Sequence, residues 1–294
     1  MSLTLPSFAK INWTLRVLGK RGDGFHELFT VFQTVSLSDT LHFYDSLKLE
    51  MTCNDGNMPV DGRNLIVRAA NALREEFGVD KGAAIHLEKR IPSPGGLGGG
   101  SSNAAVALVG LSRLWQLAVS TDELMPIAAK LGSDVPFFLW GGTAVGTGRG
   151  EELERVDDIV EPHMLIVTPN VSVSTKVAFE RLGAVTLTNT EFNHILSVCR
   201  TEADTLSLHR PALINDFEAS VFAEFPEIRR VRETLSELGA VNAAMSGSGA
   251  SVFAVFDNIE TRQTAIKALD HESTWRKFAV ATVSRDEYRV ALGL

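Results

Sequence analysis

The chain is poor in cysteine: only Cys53 and Cys199 occur in 294 residues, far apart and without the close spacing of metal ligands. That excludes a disulfide framework or a zinc site, and both thiols are expected to be buried packing residues. No stretch approaches the ~18 consecutive apolar residues of a membrane helix. Met1 to Lys10 also lack the apolar core of a secretory leader, so a cytoplasmic protein with no membrane partner is expected. An excess of positive charge is missing too. The formal net charge is −8, which argues against a nucleic-acid partner, because such proteins present a basic face to phosphates. Internal repeats and low-complexity tracts are absent, which sets aside solenoid and disordered architectures. What is present is 45% hydrophobic and 22% charged, the composition of a globular chain long enough for two cores.

Against this background the segment from Pro92 to Ala104 stands out, with five glycines followed by Ser101 and Ser102 in front of a helical pattern. Residues without a Cβ let consecutive N–H groups turn toward one anion. The helix that follows adds its unpaired donors and positive dipole end. The ligand this implies is a nucleotide. A Walker A loop is excluded, since it needs Gly-Lys-Ser/Thr and here Gly100 precedes Ser101 and Ser102. A dinucleotide G-x-G-x-x-G turn from Gly96 is excluded as well, because position 101 is serine and the acidic ribose partner farther on is missing. A flexible Gly/Ser linker is the plain alternative, but linkers are seldom followed at once by an amphipathic helix.

Alternating and β-branched patterns predict strands over residues 5–18, 31–43 and 83–89, the last running into the glycine segment. Residues 64–77 carry apolar side chains at helical spacing and stop at Gly78, a left-handed terminator. The next helix is predicted with Ser102 or Asn103 as its cap and Ala104, Ala107, Leu108, Leu111, Leu114 and Trp115 facing inward. Ser120 and Glu123 have capping-box spacing for a third helix ending at Gly132, which places Asp134 at the entrance of a short apolar segment, 135–140. Residues 141–158 read as a hairpin and crossover before a buried strand over 164–168. A domain boundary is placed near 150–160, dividing residues 1–155 from 156–294. Beyond it, 175–182 and 225–238 read as helices, and 250–256 and 278–283 as strands. The mixture predicts an α+β protein whose second half is an open α/β sandwich.

Three motifs then combine over nearly the whole chain. Pro6-x-x-Ala9-Lys10-x-Asn12, Gly96-Leu97-Gly98-x-x-Ser101-Ser102-x-Ala104 and Ser246-Gly247-Ser248-Gly249-Ala250 resemble, in order and spacing, the signatures of the galactokinase, homoserine kinase, mevalonate kinase and phosphomevalonate kinase superfamily. Further segments narrow the resemblance: Asp23-Gly24-Phe25-His26-Glu27-Leu28 followed by Thr30-Val31-Phe32-Gln33, then Asn64-Leu65-Ile66-Val67-Arg68-Ala69-Ala70, then Leu131-Gly132-Ser133-Asp134-Val135-Pro136-Phe137-Phe138. These are similar to the kinases that act on 4-diphosphocytidyl-2-C-methyl-D-erythritol. The resemblance implies phosphorylation of that small molecule's 2-hydroxyl in the non-mevalonate route to isoprenoid precursors, with ATP and Mg²⁺ as cofactors. It also implies an amino-terminal domain like ribosomal protein S5 and a ferredoxin-like carboxy-terminal domain.

By the same resemblance Lys10 and Asp134 form the catalytic pair. The nucleotide falls to Pro94, Gly95, Gly96, Leu97, Gly98, Gly99, Gly100, Ser101, Ser102, Asn103 and Ala104, with Asn64 beside the adenine pocket. Ser101 or Ser102 could reach the metal, but the acidic ligand of some superfamily members has no counterpart, so no protein metal ligand is assigned. Phe25, His26 and Phe32 are candidates for the cytidine end, because a ring can stack on a pyrimidine while an imidazole reads its edge. Many relatives have tyrosine where this chain has Phe25; the change removes a hydroxyl and keeps the stacking face. Asn12 shares a strand face with Lys10 and is a candidate for the erythritol hydroxyls. Taken singly, Asp134 could be a helix cap, Lys10 a solvated strand lysine, Asn12 a strand-end partner of backbone and 246–249 a plain turn. A sister kinase for homoserine or mevalonate and a non-catalytic sensor on the same scaffold are the alternatives. An S5-like RNA-binding module conflicts with the acidic charge.

Overall fold

A computed structural model describes residues 2–182, 195–201 and 213–294. Its longest strands, β1 (Ser2–Lys20) and β2 (His26–Tyr44), pair antiparallel from Ser2 opposite Tyr44 to Lys20 opposite His26. β3 (Leu49–Cys53) and β4 (Ala83–Glu88) extend one edge of this sheet, and the hairpin of β5 (Thr143–Thr147) and β6 (Glu152–Arg155) pairs onto β2. A two-residue strand from much later in the chain, Ile214–Asn215, joins β1 in parallel.

Helices cover one face of that sheet. α1 (Leu65–Phe77) begins where Asn64 Oδ1 accepts the Ile66 N–H at 2.9 Å and ends at Gly78 with φ 62°. α3 (Thr121–Leu131) has the capping box of Ser120 and Glu123, and α4 (Phe137–Trp140) follows one tight turn later. Between α1 and α3 in sequence lies α2 (Gly99–Leu114), buried on nearly every side. Leu108 and Leu111 of α2 share a core with Leu41 and Phe43 of β2, and each such buried side chain contributes about 1.5–3 kcal/mol.

The second sheet runs, edge to edge, Arg276–Val280, Met164–Thr168, Val252–Val255, Asn242–Met245, every pair antiparallel. In chain order that is fourth, first, third, second, the ferredoxin-like arrangement. Strand alternation divides its side chains: Leu165, Val167, Val252 and Ala254 face Ile228, Val231 and Ala265 of the covering helices. Ile166, Phe253 and Val255 face the other way, into a core shared with Ile11, Trp13, Phe29 and Val31 of the first sheet. Trp13 meets Phe253 edge-on at 5.4 Å between centroids. The chain then returns to where it began, since Tyr288 and Leu292 of helix Arg285–Leu292 lie in the core beneath α2.

The α+β class and the two sheets agree with the sequence reading; two details do not. α2 starts at Gly99 behind Gly98, so neither Ser102 nor Asn103 is its cap. The glycines themselves form the first turn, and both side chains are held instead by Ser7, whose Oγ lies 2.7 Å from Ser102 Oγ and from Asn103 Oδ1. Of the two cysteines, Cys199 is buried and Cys53 is only half-buried. Among the described residues no helix is long and apolar enough to cross a membrane.

Candidate active site

A cavity of about 400 Å³ opens where β1 and β2 run beneath the glycine segment. Its floor depends on a β-bulge. The register passes from Asn12 opposite Phe32 to Thr14 opposite Val31, leaving Trp13 as the extra residue. Lys10 and Asn12 before the bulge, and Leu15 after it, therefore line the same cavity, together with Leu28, Thr30 and Phe32 of β2.

The glycine segment forms the wall. Gly96 has φ 71°, and a Cβ there would sit 2.0 Å from the Ser246 carbonyl oxygen, so no other residue fits. Ser246 Oγ donates to Gly96 O at 2.9 Å and the Ser251 N–H donates to Gly95 O at 3.2 Å, which ties the 246–249 turn to the loop. Asn215 shapes that turn by donating Nδ2 to Met245 O at 2.7 Å and Gly247 O at 2.8 Å. Gly98, with φ 68°, would carry a Cβ only 2.9 Å from Lys10 Cγ, and the Lys10 N–H donates to Leu97 O at 2.9 Å. The loop thus lies directly on the lysine stem. Gly99, Gly100 and Ser101 open α2 with N–H groups that have no intrahelical acceptor, and no acidic residue occupies that turn. This is an anion cradle.

Asp39 supports the cradle from behind. Its fully buried carboxylate accepts the N–H groups of Arg90 (2.7 Å) and Ile91 (2.8 Å) and pairs with Lys89 Nζ at 2.8 Å. That ammonium lies 3.1 Å from where a Cβ on Gly99 would be.

At the inner end of the cradle Lys10 Nζ lies 3.5 Å from Asp134 Oδ2, in the turn between α3 and α4. The Val135 N–H donates to Gly132 O at 3.1 Å and closes this turn. Lys10 also donates to Asn12 Oδ1 at 2.6 Å, and its ammonium sits 5.6 Å from the centre of the Phe32 ring. Burial pushes the Lys10 ammonium below the ordinary lysine range, and the Asp134 carboxylate pulls the other way. The lysine is nearly inaccessible, whereas the aspartate side chain is 32% exposed and lines the cavity.

Lys10, Asn12, Phe32, Asp134 and the loop residues Pro94, Gly95, Gly96, Leu97, Gly98, Gly99, Gly100 and Ser101 come together on this one cavity. Ser102, Asn103 and Ala104 are buried behind the loop and are not among the residues lining it. Asn64 is held by its own helix: Oδ1 caps α1 and Nδ2 donates to Pro59 O at 2.8 Å, leaving Leu65 as the lining residue. Asn12 bonds Lys10 and Thr30 rather than standing free. Phe32 is buried against Phe137 at 4.9 Å, so its free face supports Lys10. Phe25, 53% exposed, lies under the Arg149 guanidinium at 4.9 Å, and His26 stacks on Phe179 at 4.9 Å. Sequence reasoning missed Thr30, Arg149, Phe179, Phe217, Asp39 and Lys89. A carboxylate in the inward register of an apolar strand was the available signal for Asp39; the others gave none.

An anion cradle bonded to a buried lysine, with a partly exposed carboxylate at its end, on an S5-like half joined to a ferredoxin-like half, defines a GHMP-type small-molecule kinase. Residues 64–142 match the GHMP kinases N terminal domain and residues 202–273 match the GHMP kinases C terminal domain. The 4-diphosphocytidyl-2-C-methyl-D-erythritol kinase of Chlorobium phaeobacteroides is 40% identical over 276 residues, 92% of each chain. A crystal structure of 4-(cytidine 5'-diphospho)-2C-methyl-D-erythritol kinase superposes with TM-score 0.78 at 32% identity, covering 95% of this chain and 99% of the other. Homoserine kinase from Cytophaga hutchinsonii shares the fold, with TM-score 0.71 at 21% identity over 97% of this chain and 96% of its own. The chain belongs to the 4-diphosphocytidyl-2-C-methyl-D-erythritol kinase family, and so uses ATP.

Proposed function

We propose that the chain transfers the γ-phosphoryl group of ATP to the 2-hydroxyl of 4-diphosphocytidyl-2-C-methyl-D-erythritol, in the non-mevalonate route to isoprenoid precursors. A cytoplasmic location and a division into residues 1–155 and 156–294 belong to the same proposal. The observation that carries it is the 3.5 Å approach of Lys10 Nζ to Asp134 Oδ2 at the end of the glycine cradle.

The acceptor oxygen forms a bond to the γ-phosphorus while the bond to the β–γ bridging oxygen breaks and ADP leaves. The hydroxyl proton goes to Asp134. A carboxylate is a weak base toward an alcohol, but a loose phosphoryl-transfer transition state asks for no early alkoxide, so a positioned acceptor is enough. Lys10 pairs with that carboxylate, stabilises the emerging oxyanion and draws the hydroxyl toward the phosphate. The amides at the start of α2 hold the phosphate chain of the nucleotide.

Mg²⁺ suits this wall, because Ser101 presents a hard oxygen to the cavity whereas Ser102 is held by Ser7. Among the described residues no cluster of three or more His, Cys, Asp or Glu side chains could hold a metal, so phosphate oxygens and water would supply the other ligands. When bound, the ion neutralises charge on the β- and γ-oxygens. The far arm of the cavity is apolar, formed by Leu15, Leu28, Phe179 and Phe217, and gives a pyrimidine a dry wall.

The test is ADP release by purified protein in Mg-ATP with each of three acceptors. Release with the diphosphocytidyl ester, and none above background with homoserine or mevalonate, is expected. Release with either of the latter alone overturns the substrate assignment.

A further inference from the structure

Among the described residues, Lys10, Asp134 and Arg149 are the charged side chains lining the cavity, and the proposed phosphoryl transfer uses the first two. Arg149 lies in the turn between β5 and β6, which is bound to the start of β2: the Leu28 N–H donates to Gly148 O at 2.7 Å and the Gly148 N–H donates to Glu27 Oε1 at 3.0 Å. Glu151 holds the arginine at its base, accepting the Arg149 N–H at 2.7 Å and Nε at 2.9 Å. The Phe25 ring supports the guanidinium at 4.9 Å. Its two terminal nitrogens have no hydrogen-bond partner among the described residues. An arginine anchored at Nε and on one ring face, with its terminal fork free on a cavity wall, is prepared for a bidentate oxyanion.

We propose that Arg149 recognises the diphosphate of the acceptor and that Phe25 is the platform for this arginine. The inference rests on the substrate assignment above and adds the residue that reads the substrate's charged middle. The order of groups in the fold matches the order in the molecule. On one side of Arg149 lie Phe25 and His26 with the aromatic arm. On the other side Gly150, the next residue, has its Cβ position 3.9 Å from Asp134 Oδ1. A cytidine in the arm and a 2-hydroxyl at Asp134 put the intervening diphosphate beside Arg149. Lys10 Nζ is held by Asp134 and Asn12, whereas Glu151 engages Arg149 only at its main-chain N–H and Nε, which leaves the terminal nitrogens for a dianionic link. Phe25 fits this task, because a cation rests on the ring face.

The experiment compares CDP with cytidine as inhibitors competing with the acceptor at saturating ATP, in wild type, Arg149→Gln and Arg149→Lys. Wild type is expected to bind CDP more tightly than cytidine. In Arg149→Gln that preference largely disappears and the KM for the acceptor rises about 10- to 100-fold, the effect of losing a charge-assisted hydrogen-bonding pair, while the KM for ATP stays within about two-fold. Arg149→Lys falls between, since it restores the charge without the fork. Phe25→Leu, at an exposed ring, moves the same ratio in the same direction by less and serves if the arginine variant folds poorly. Active wild type with an unchanged CDP-to-cytidine ratio in Arg149→Gln overturns the role of Arg149 alone. Wild type that neither phosphorylates the acceptor nor binds CDP overturns the substrate assignment and this inference with it.

Discussion

Asn12 Nδ2 donates to Thr30 Oγ1 at 2.7 Å, and this bond settles which end of the amide faces Lys10. An ammonium only donates, so Asn12 Oδ1 accepts from Lys10 Nζ at 2.6 Å and Nδ2 must find an acceptor elsewhere. Thr30 is that acceptor because its own proton goes to Thr14 O at 2.7 Å. The ladder ends on the main chain of β1, so the charge of Lys10 is fixed by backbone rather than by a mobile side chain.

Thr30 is therefore expected to act as a positioning residue for Lys10. Thr30→Val leaves a buried Asn12 donor unpaired and lets the amide turn, and kcat is expected to fall about 10- to 100-fold with little change in the KM for ATP. Thr30→Ser, which keeps the hydroxyl, is expected to restore most of the rate. Steady-state kinetics of both variants decide it; an unchanged kcat in Thr30→Val contradicts the ladder.

The pH profile carries the sign of the Lys10 environment. Burial lowers its proton affinity below the ordinary value of 10.5 against the opposing pull of Asp134. Activity that needs the ammonium is present below that lowered value and lost as pH rises through it, so the alkaline limb of kcat falls before pH 10.5. Asp134→Asn removes the supporting charge and should move the residual limb further down. The unfolded chain keeps this proton to higher pH, so the contribution of Lys10 to stability rises across the same window. A wild-type limb at or above 10.5 contradicts the reading.

Much of the fold was legible in the sequence because its signals are local. The Ser120–Glu123 capping box, the Gly78 terminator and the strand at Met164–Thr168 depend on neighbours a few residues away. The cavity wall was legible for the same reason, since a run of glycines before a helix states its geometry outright. The rest of the site was not. Thr30 and Asn12 meet through a register set by the bulge at Trp13, and the turn at 246–249 reaches Gly96 only once the two sheets have stacked. The cap of α2 was misplaced because Ser102 and Asn103 have the chemistry of caps, while their partner, Ser7, lies on β1. Phe32 reads as a candidate base-stacking ring, and periodicity alone does not say that Phe137 covers one of its faces.

Asp39 is expected to matter for stability. Asp39→Ala strands the buried Lys89 ammonium and frees the amides of Arg90 and Ile91, a loss of about 3–5 kcal/mol. Pairing it with Lys89→Met should recover part of that loss, because the uncompensated charge is gone. Denaturant unfolding of the single and double variants measures both; a single-variant loss under about 1 kcal/mol contradicts a supporting role.

Gly96→Ala should disrupt the contact between the loop and the 246–249 turn. Its φ of 71° and the 2.0 Å approach of Ser246 O force the loop to shift. Destabilisation of about 1–3 kcal/mol and at least about ten-fold weaker binding of a nonhydrolysable ATP analogue are expected. Calorimetric titration showing wild-type affinity would mean that the loop does not hold phosphate in this shape.

The most direct measurement is single-turnover phosphoryl transfer by Asp134→Asn beside wild type, with affinity for the ATP analogue measured on the same preparations. An amide keeps the shape of the carboxylate but cannot take the hydroxyl proton or balance Lys10. Transfer is therefore expected to slow by about 100-fold or more, with nucleotide affinity nearly unchanged. Transfer at close to the wild-type rate would show that Asp134 accepts no proton and that the Lys10–Asp134 couple is not the catalytic centre.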